Sequence, residues 1–427
     1  MRGLLNRPPS LSGDEPDYDA VGLALSKGKG YSKDFSDPDF WAPYQANDHT
    51  EVELHKSRFP QQPLADLHRP PGLPTIYAVT NLMFGRSMLA LRGVNLVLAG
   101  LLLAMILSLI TQEFRSFWVF PAALLLMLDD PFRLYSYAMT TETIAALSVT
   151  ALLILLRQFQ AQQLSHPILL GLLLGIAILF RTAFVLWIPV LLLGVAWLGF
   201  RSAQPVTPFS YRRGLGTPAL FLLTTGLVLL PWSMRNISVT GEFWPLGLQG
   251  ATQFSAAFGE VTWQNSGIWS SAATAHFYED YDPSELSIAD QTQIAAVSMS
   301  SGKAWIAQYP VQTLQLMAMK VWQEFRPRTA MLILLTPFIL WGGWCLRKTQ
   351  TGFACLTFIL CCTTMVMATW SVEGRFIYPL ISVWTVLAVA GANDLLIRMG
   401  LLNESPRCNP NTPRNDGGST ELNLDPH

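Results

Sequence analysis

Asp14 and Glu15 stand side by side in Gly13-Asp14-Glu15-Pro16-Asp17-Tyr18, with Tyr18 four residues beyond Asp14 and so on the same face of a helix. A carboxylate fixed there could take the proton of an attacking hydroxyl. The same residues also read as a helix start, with Asp14 as N-cap, Pro16 in the first turn and Asp17 as third-position acid. Both readings can hold together, because a cap fixes the carboxylate. His68-Arg69-Pro70-Pro71-Gly72 offers Arg69 as a phosphate contact and His68 as a metal ligand or hydrogen-bond donor. It serves equally as a rigid turn into a surface helix, and one histidine is not a metal site.

Glu142, Arg181, Arg235, Glu373 and Arg375 interrupt apolar runs, where a charge is costly and therefore points to function. Snorkelling at helix ends is the competing explanation, strongest for Arg181 and Arg235. Arginine suits a phosphate because its planar fork donates two parallel charge-assisted bonds. In the stretch 309–327, Leu314, Met317, Val321 and Trp322 mark an amphipathic helix at the outer surface. Lys320 could face a lipid phosphate there, or the helix could be only a lid.

These residues must be positioned by apolar elements. Of 427 residues, 51% are hydrophobic and only 13% charged, against about 25% charged in soluble domains. The runs 96–109, 168–180 and 183–200 carry no charge, which suits hydrocarbon. Spans are expected at 88–110, 114–128, 134–156, 168–181, 183–200, 216–233, 329–346, 351–370 and 376–397. The fold class is an all-α polytopic membrane protein, a bundle of about nine spans, several shorter than the ~20 residues a straight span needs. Short or broken helices are tolerated where they line a cavity.

The spans divide the chain into a first loop (1–87), about six spans (88–235), a second long loop (236–328), about three spans (329–397) and a polar tail (398–427). The first loop carries 11 of the 29 acids, a short amphipathic stretch at 17–26 and a surface helix at 75–84. The second has seven acids and no Lys or Arg from Glu242 to Asp290. With 1–87 outside, Lys and Arg concentrate in the inner loops, so both acidic loops face out and the tail, disordered by composition, faces in. Residues 1–13 hold no apolar stretch able to carry that loop across a membrane. The expected explanation is a mis-assigned start, with a hydrophobic helix encoded upstream; an in-frame stop just before Met1 would refute it.

The net charge of −1 excludes a generally basic nucleic-acid binder. None of the five cysteines falls in the long loops, so neither a disulfide scaffold nor a Cys-based zinc site is supported. No glycine-rich nucleotide loop, His-Glu-x-x-His or Gly-x-Ser-x-Gly is present. Any activated substrate is therefore expected to arrive through the membrane.

The motifs, in order, resemble the GT-C membrane glycosyltransferases, nearest the branch containing protein O-mannosyltransferases and the lipid A aminoarabinose transferase. The resemblance is carried by Asp14-Glu15-x-x-Tyr18 and by Arg69-Pro70-Pro71-Gly72-Leu73-Pro74, followed by Leu82-Met83-Phe84-Gly85 and Leu91-Arg92. Tyr135-Ser136 through Thr141-Glu142 follow, then Gly171-x-x-x-Gly175 leading to Phe180-Arg181-Thr182. Pro231-Trp232-x-x-Arg235-Asn236 and Glu373-Gly374-Arg375-Phe376-x-x-Pro379 complete the set, across roughly 11–397.

The resemblance implies a polyprenyl-phosphate sugar donor, a hydroxyl acceptor (protein, lipid or glycan) and an extracytoplasmic site, with inversion at the anomeric carbon. It implies Asp14 as base, Glu15 as its catalytic neighbour, and Arg235 and Arg375 as holders of the lipid phosphate. Tyr18, His68, Arg69, Glu142, Arg181, Lys320 and Glu373 complete the expected substrate-binding set. Family members begin with a span before the Asp-Glu pair; residues 1–13 hold none, which fits the expected mis-assigned start. Some carry an acidic metal ligand and a lysine where His68-Arg69 stand, so no metal ligand is assigned and a divalent metal stays open. The short loops suggest a bacterial inner membrane. The rival readings are a non-catalytic polyprenyl-lipid binding protein or flippase, and a secondary transporter; the latter commonly shows an internal repeat, and none is found.

Overall fold

A computed structural model describes residues 8–11, 13–56, 63–160, 163–201, 208–282 and 285–403. The expected tail beyond 403 lies outside the described residues. The first element among the described residues is α1 (Glu15–Ser26), and β1 (Ser32–Lys33) pairs antiparallel with β2 (Leu64–Ala65) in the register Ser32 to Ala65. Then come α2 (Gly72–Phe84), α3 (Met88–Glu113), α4 (Val119–Leu128), α5 (Glu142–Arg157), α6 (Ser165–Phe180), α7 (Ile188–Arg201) and α8 (Pro208–Thr240). After a run of short helices, α9 (Ile288–Gln308), α10 (Pro310–Phe325), α11 (Ala330–Leu346), α12 (Gln350–Ala368) and α13 (Ile381–Arg398) follow. The chain is an all-α membrane protein.

Eight of the nine expected spans are helical along most of their length, but length separates them. Among the described residues, Met88–Glu113, Thr182–Phe200, Leu215–Thr240, Gln350–Ala368 and Tyr378–Arg398 are long and apolar enough to cross alone. A sixth would be α10 with α11, bent by 107° where they meet. The span expected at 134–156 is broken instead. A short helix, Asp130–Tyr135, ends in a turn, and α5 restarts at Glu142. Glu142 thus opens a helix, where the N-terminal dipole favours a carboxylate, rather than interrupting one.

Close crossings hold the bundle. A Cβ on Gly171 or Gly175 of α6 would come within 2.4 Å of Phe221 O and 2.7 Å of Val228 Cβ on α8. Gly342 of α11 and Gly391 of α13 let two backbones meet in the same way. Small residues at such contacts replace the hydrophobic drive that lipid cannot supply.

Three helices outside the expected spans show how the long loops pack. The 17–26 stretch buries Tyr18, Ala20, Val21, Leu23 and Ala24 along most of its circumference, so α1 is a core helix packed on α2. On α2, Leu73 and Tyr77 face inward, while Val79, Leu82, Met83 and Phe84 are exposed. On α10 the polarity is inverted: Leu314 and Trp322 are 69% and 67% exposed, and Lys320 and Glu324 are fully buried. An outward apolar stripe is the arrangement of a helix whose outer solvent is lipid.

Candidate active site

Gly13 holds φ at +78° and turns the chain into α1, leaving Asp14 at the N-cap position. Its carboxylate caps nothing. Instead Oδ1 meets Arg69 Nη1 at 2.8 Å and Oδ2 meets Arg375 Nη2 at 2.5 Å. Three residues on, Asp17 accepts from Arg69 Nε and Nη2 at 2.8 and 2.6 Å and pairs with Lys33 at 2.9 Å. Arg69 is set by its own backbone N–H, which donates to Asp66 Oδ2 at 2.9 Å, and its guanidinium lies over the Tyr18 ring.

Arg375 joins this group to the bundle. Its Nε donates to Glu142 Oε1 at 2.5 Å, and Arg181 Nη1 reaches the same oxygen at 3.4 Å. Arg181 sits where α6 breaks into the following turn, only 9% exposed, with its guanidinium 4.8 Å from the centre of the Phe376 ring. It points into the protein, so it does not snorkel. Asp14, Asp17, Asp66 and Glu142 thus face Arg69, Arg375, Arg181 and Lys33 in one chain of charges.

Burial pushes the Asp14 carboxyl up, but Arg69 and Arg375 outweigh it and hold the group below its usual range. Asp17 is likewise held low against its burial, by Lys33 and Arg69. Burial, aided by Lys33, pushes the His68 imidazole down to about 4, and burial pushes Tyr18 up to about 12. His68 is therefore neutral at neutral pH. Among the described residues, no three His, Cys, Asp or Glu side chains converge to hold a metal ion.

The loop carrying Arg375 is clamped by a residue that sequence reading passed over. Glu324, buried on α10, accepts from Ser371 Oγ at 2.8 Å, Val372 N at 3.0 Å and Phe376 N at 2.5 Å. One carboxylate thereby ties both ends of the turn at 371–376. The signal available in the sequence was a lone acid in an amphipathic helix, too common to single out.

Three other expected site residues lie elsewhere, while Glu373 stays beside Arg375 without joining the carboxylate cluster. Glu15 turns away from Asp14: its Oε1 accepts from Met139 N at 2.9 Å and its Oε2 from Ser10 N at 3.2 Å. Consecutive helical positions point about 100° apart, so adjacent carboxylates cannot share a face. Arg235 donates to the carbonyls of Asp66 and Tyr31 at 2.7 and 2.9 Å and is flanked by the Tyr31 and Trp232 rings. It braces the strand region behind Arg69 and does not join Arg375. Lys320, expected to face outward, is buried because α10 presents its apolar stripe outward; its Nζ lies 3.4 Å from Met367 O and 3.8 Å from the Phe258 ring centre. Glu373 pairs with Arg328 at 2.8 Å and Arg326 at 3.7 Å.

Beside Arg375 a cavity of about 240 Å³ opens between α4, α11 and α13. Leu126, Leu332, Leu335, Ile339 and Ile381 form its apolar wall, and Arg326, Arg328, Glu373 and Arg375 gather at its rim. Arg375 is thus shared between the carboxylate cluster and the groove.

No family model matches the chain, and no curated protein matches it. Among solved structures, the crystal structure of ArnT from Cupriavidus metallidurans bound to undecaprenyl phosphate is similar to it. The TM-score is 0.43 at 12% identity, covering 93% of this chain and 76% of that one.

Proposed function

We propose that the chain is an inverting glycosyltransferase of the GT-C type, moving a sugar from a polyprenyl-phosphate donor to an acceptor hydroxyl at the extracytoplasmic face of a membrane. The observation that carries this reading is Arg375, which bridges Asp14 and Glu142 on one side and lines the apolar groove on the other.

In this reading the acceptor oxygen attacks the anomeric carbon from behind while the bond to the phosphate oxygen breaks. The phosphate departs with the electron pair, and Asp14 takes the hydroxyl proton. A phosphate is a good leaving group, so positioning and charge stabilisation do most of the work. Asp14 is a poor base while paired with two guanidiniums. Transfer of Arg375 from Asp14 to the incoming phosphate removes one of them and raises the basicity of the carboxylate. Donor arrival and base activation are then one event, with Arg69 and Asp17 keeping Asp14 in place.

The test uses membranes containing the full chain, labelled polyprenyl-phosphate sugars and identification of the labelled product. Asp14→Asn should lower transfer by about 10²–10⁴-fold while lipid binding persists. Undiminished transfer by that variant sinks the proposal. Lipid binding with no transfer by the wild type would favour a non-catalytic lipid binder or flippase instead.

A further inference from the structure

The rim of the groove holds two arginines that the carboxylate cluster does not use. Arg328 Nη1 meets Glu373 Oε1 at 2.8 Å, Arg326 Nη2 approaches the same oxygen at 3.7 Å, and the Glu373 side chain is 49% exposed. Glu373 holds φ at +58°, a left-handed conformation unusual for a side chain of its size. Arg326 Nε is buried and donates to no protein group among the described residues, and such an orphan calls for a partner. Arg328 Nη2 also donates to Gln323 O at 2.9 Å, so the one Glu373 oxygen shared by the two guanidiniums leaves Arg326 the less satisfied of the pair.

We propose that Arg326 and Arg328 form a phosphate subsite for a single-chain isoprenoid lipid lying in the groove, with Glu373 as its intramolecular stand-in. The proposal rests on the polyprenyl-phosphate reading above and gives that donor a place. A phosphate offers several acceptor oxygens to the fork of each guanidinium, and the wall below it is apolar. The cavity is smaller than the roughly 300–1,000 Å³ that encloses a drug-sized ligand, so it takes a head group and the start of one chain. When the phosphate enters, it replaces Glu373 between the arginines, and the strained turn is released next to Arg375.

The signature is a site residue whose removal strengthens binding. The full chain in detergent is titrated with undecaprenyl phosphate, undecaprenol or phosphatidylglycerol, and bound lipid is read by native mass spectrometry. Glu373→Gln should bind undecaprenyl phosphate about two- to fivefold more tightly, the scale of an exposed ion pair. Glu373→Gly, which suits the positive φ, should show the same gain and decides the matter if the glutamine variant misfolds. Arg328→Gln should weaken binding by about tenfold or more, and undecaprenol should bind poorly to every variant.

If the wild type binds undecaprenyl phosphate but neither Glu373 variant gains and Arg328→Gln loses nothing, the subsite is overturned and the donor reading stands. An equal gain with phosphatidylglycerol overturns the single-chain occupant. If neither the wild type nor the Glu373 variants bind undecaprenyl phosphate, both proposals fall.

Discussion

Asp14 is held by two cations, and that pairing makes its pH behaviour testable. Its folded pKa is depressed, so the stability it contributes is present above the unfolded value of 3.8 and is lost as pH falls through the lower folded value. The acid limb of kcat/KM, which reports the free enzyme, should therefore lie below pH 3.8. The acid limb of kcat should lie higher if Arg375 leaves Asp14 in the donor complex, and Arg375→Gln should move the two limbs together. Coincident limbs in the wild type would refute the exchange of Arg375.

His68 gives a second check in a higher pH window. Its folded pKa of about 4 lies below the 6.5 of the unfolded chain, so the unfolded state takes up the proton between those values. Stability should fall as pH drops from 6.5 to 4, by up to about 3 kcal/mol. His68→Asn should flatten that slope in thermal unfolding of the lipid-embedded protein. The same residue scale shows what was legible. Glu142, Arg181 and Arg375 stand out as charges in apolar runs, and Asp14 and Arg69 in short motifs of the first loop; the structure brings them together although Asp14 and Arg375 are 361 residues apart. Glu15, Arg235 and Lys320 were singled out in the same ways and are satisfied elsewhere, because a charge pattern along a chain does not name its partner.

At the scale of elements, the turn at 371–376 depends on α10. Glu324→Leu removes an acceptor shared by three donors and leaves two backbone N–H groups without it, so a loss of about 3–5 kcal/mol is expected. Hydrogen exchange at Val372 and Phe376 should accelerate together; if it stays slow, the Glu324 carboxylate is not what holds the turn. At the α11–α13 crossing, Gly342→Ala would put a methyl 1.9 Å from Leu387 O. Overpacking of that kind costs about 1–3 kcal/mol and should lower the melting temperature, while Gly343→Ala, with open space around it, should not. The break before α5 is the element that sequence reading missed. The segment 134–156 is mostly apolar, and only the packing of the turn and the buried Glu142 makes it restart.

For the whole molecule, the outward face of α10 is the most direct test of surroundings. An environment-sensitive fluorophore at Leu314→Cys should report an apolar medium in lipid nanodiscs and be quenched by brominated acyl chains. Emission typical of water would place α10 away from the bilayer. Long apolar runs leave the chain little choice but helices, since hydrocarbon offers no partner for backbone N–H and C=O, and composition alone therefore determined an all-α membrane protein with most of its helix positions. Local spacing also marked which charges were out of place. What only the tertiary structure decided is which carboxylate meets which cation, which helices are long enough to cross, and which side of α10 faces in. Those outcomes follow from close packing and from pairing buried charges across hundreds of residues, and neither is written in any local pattern.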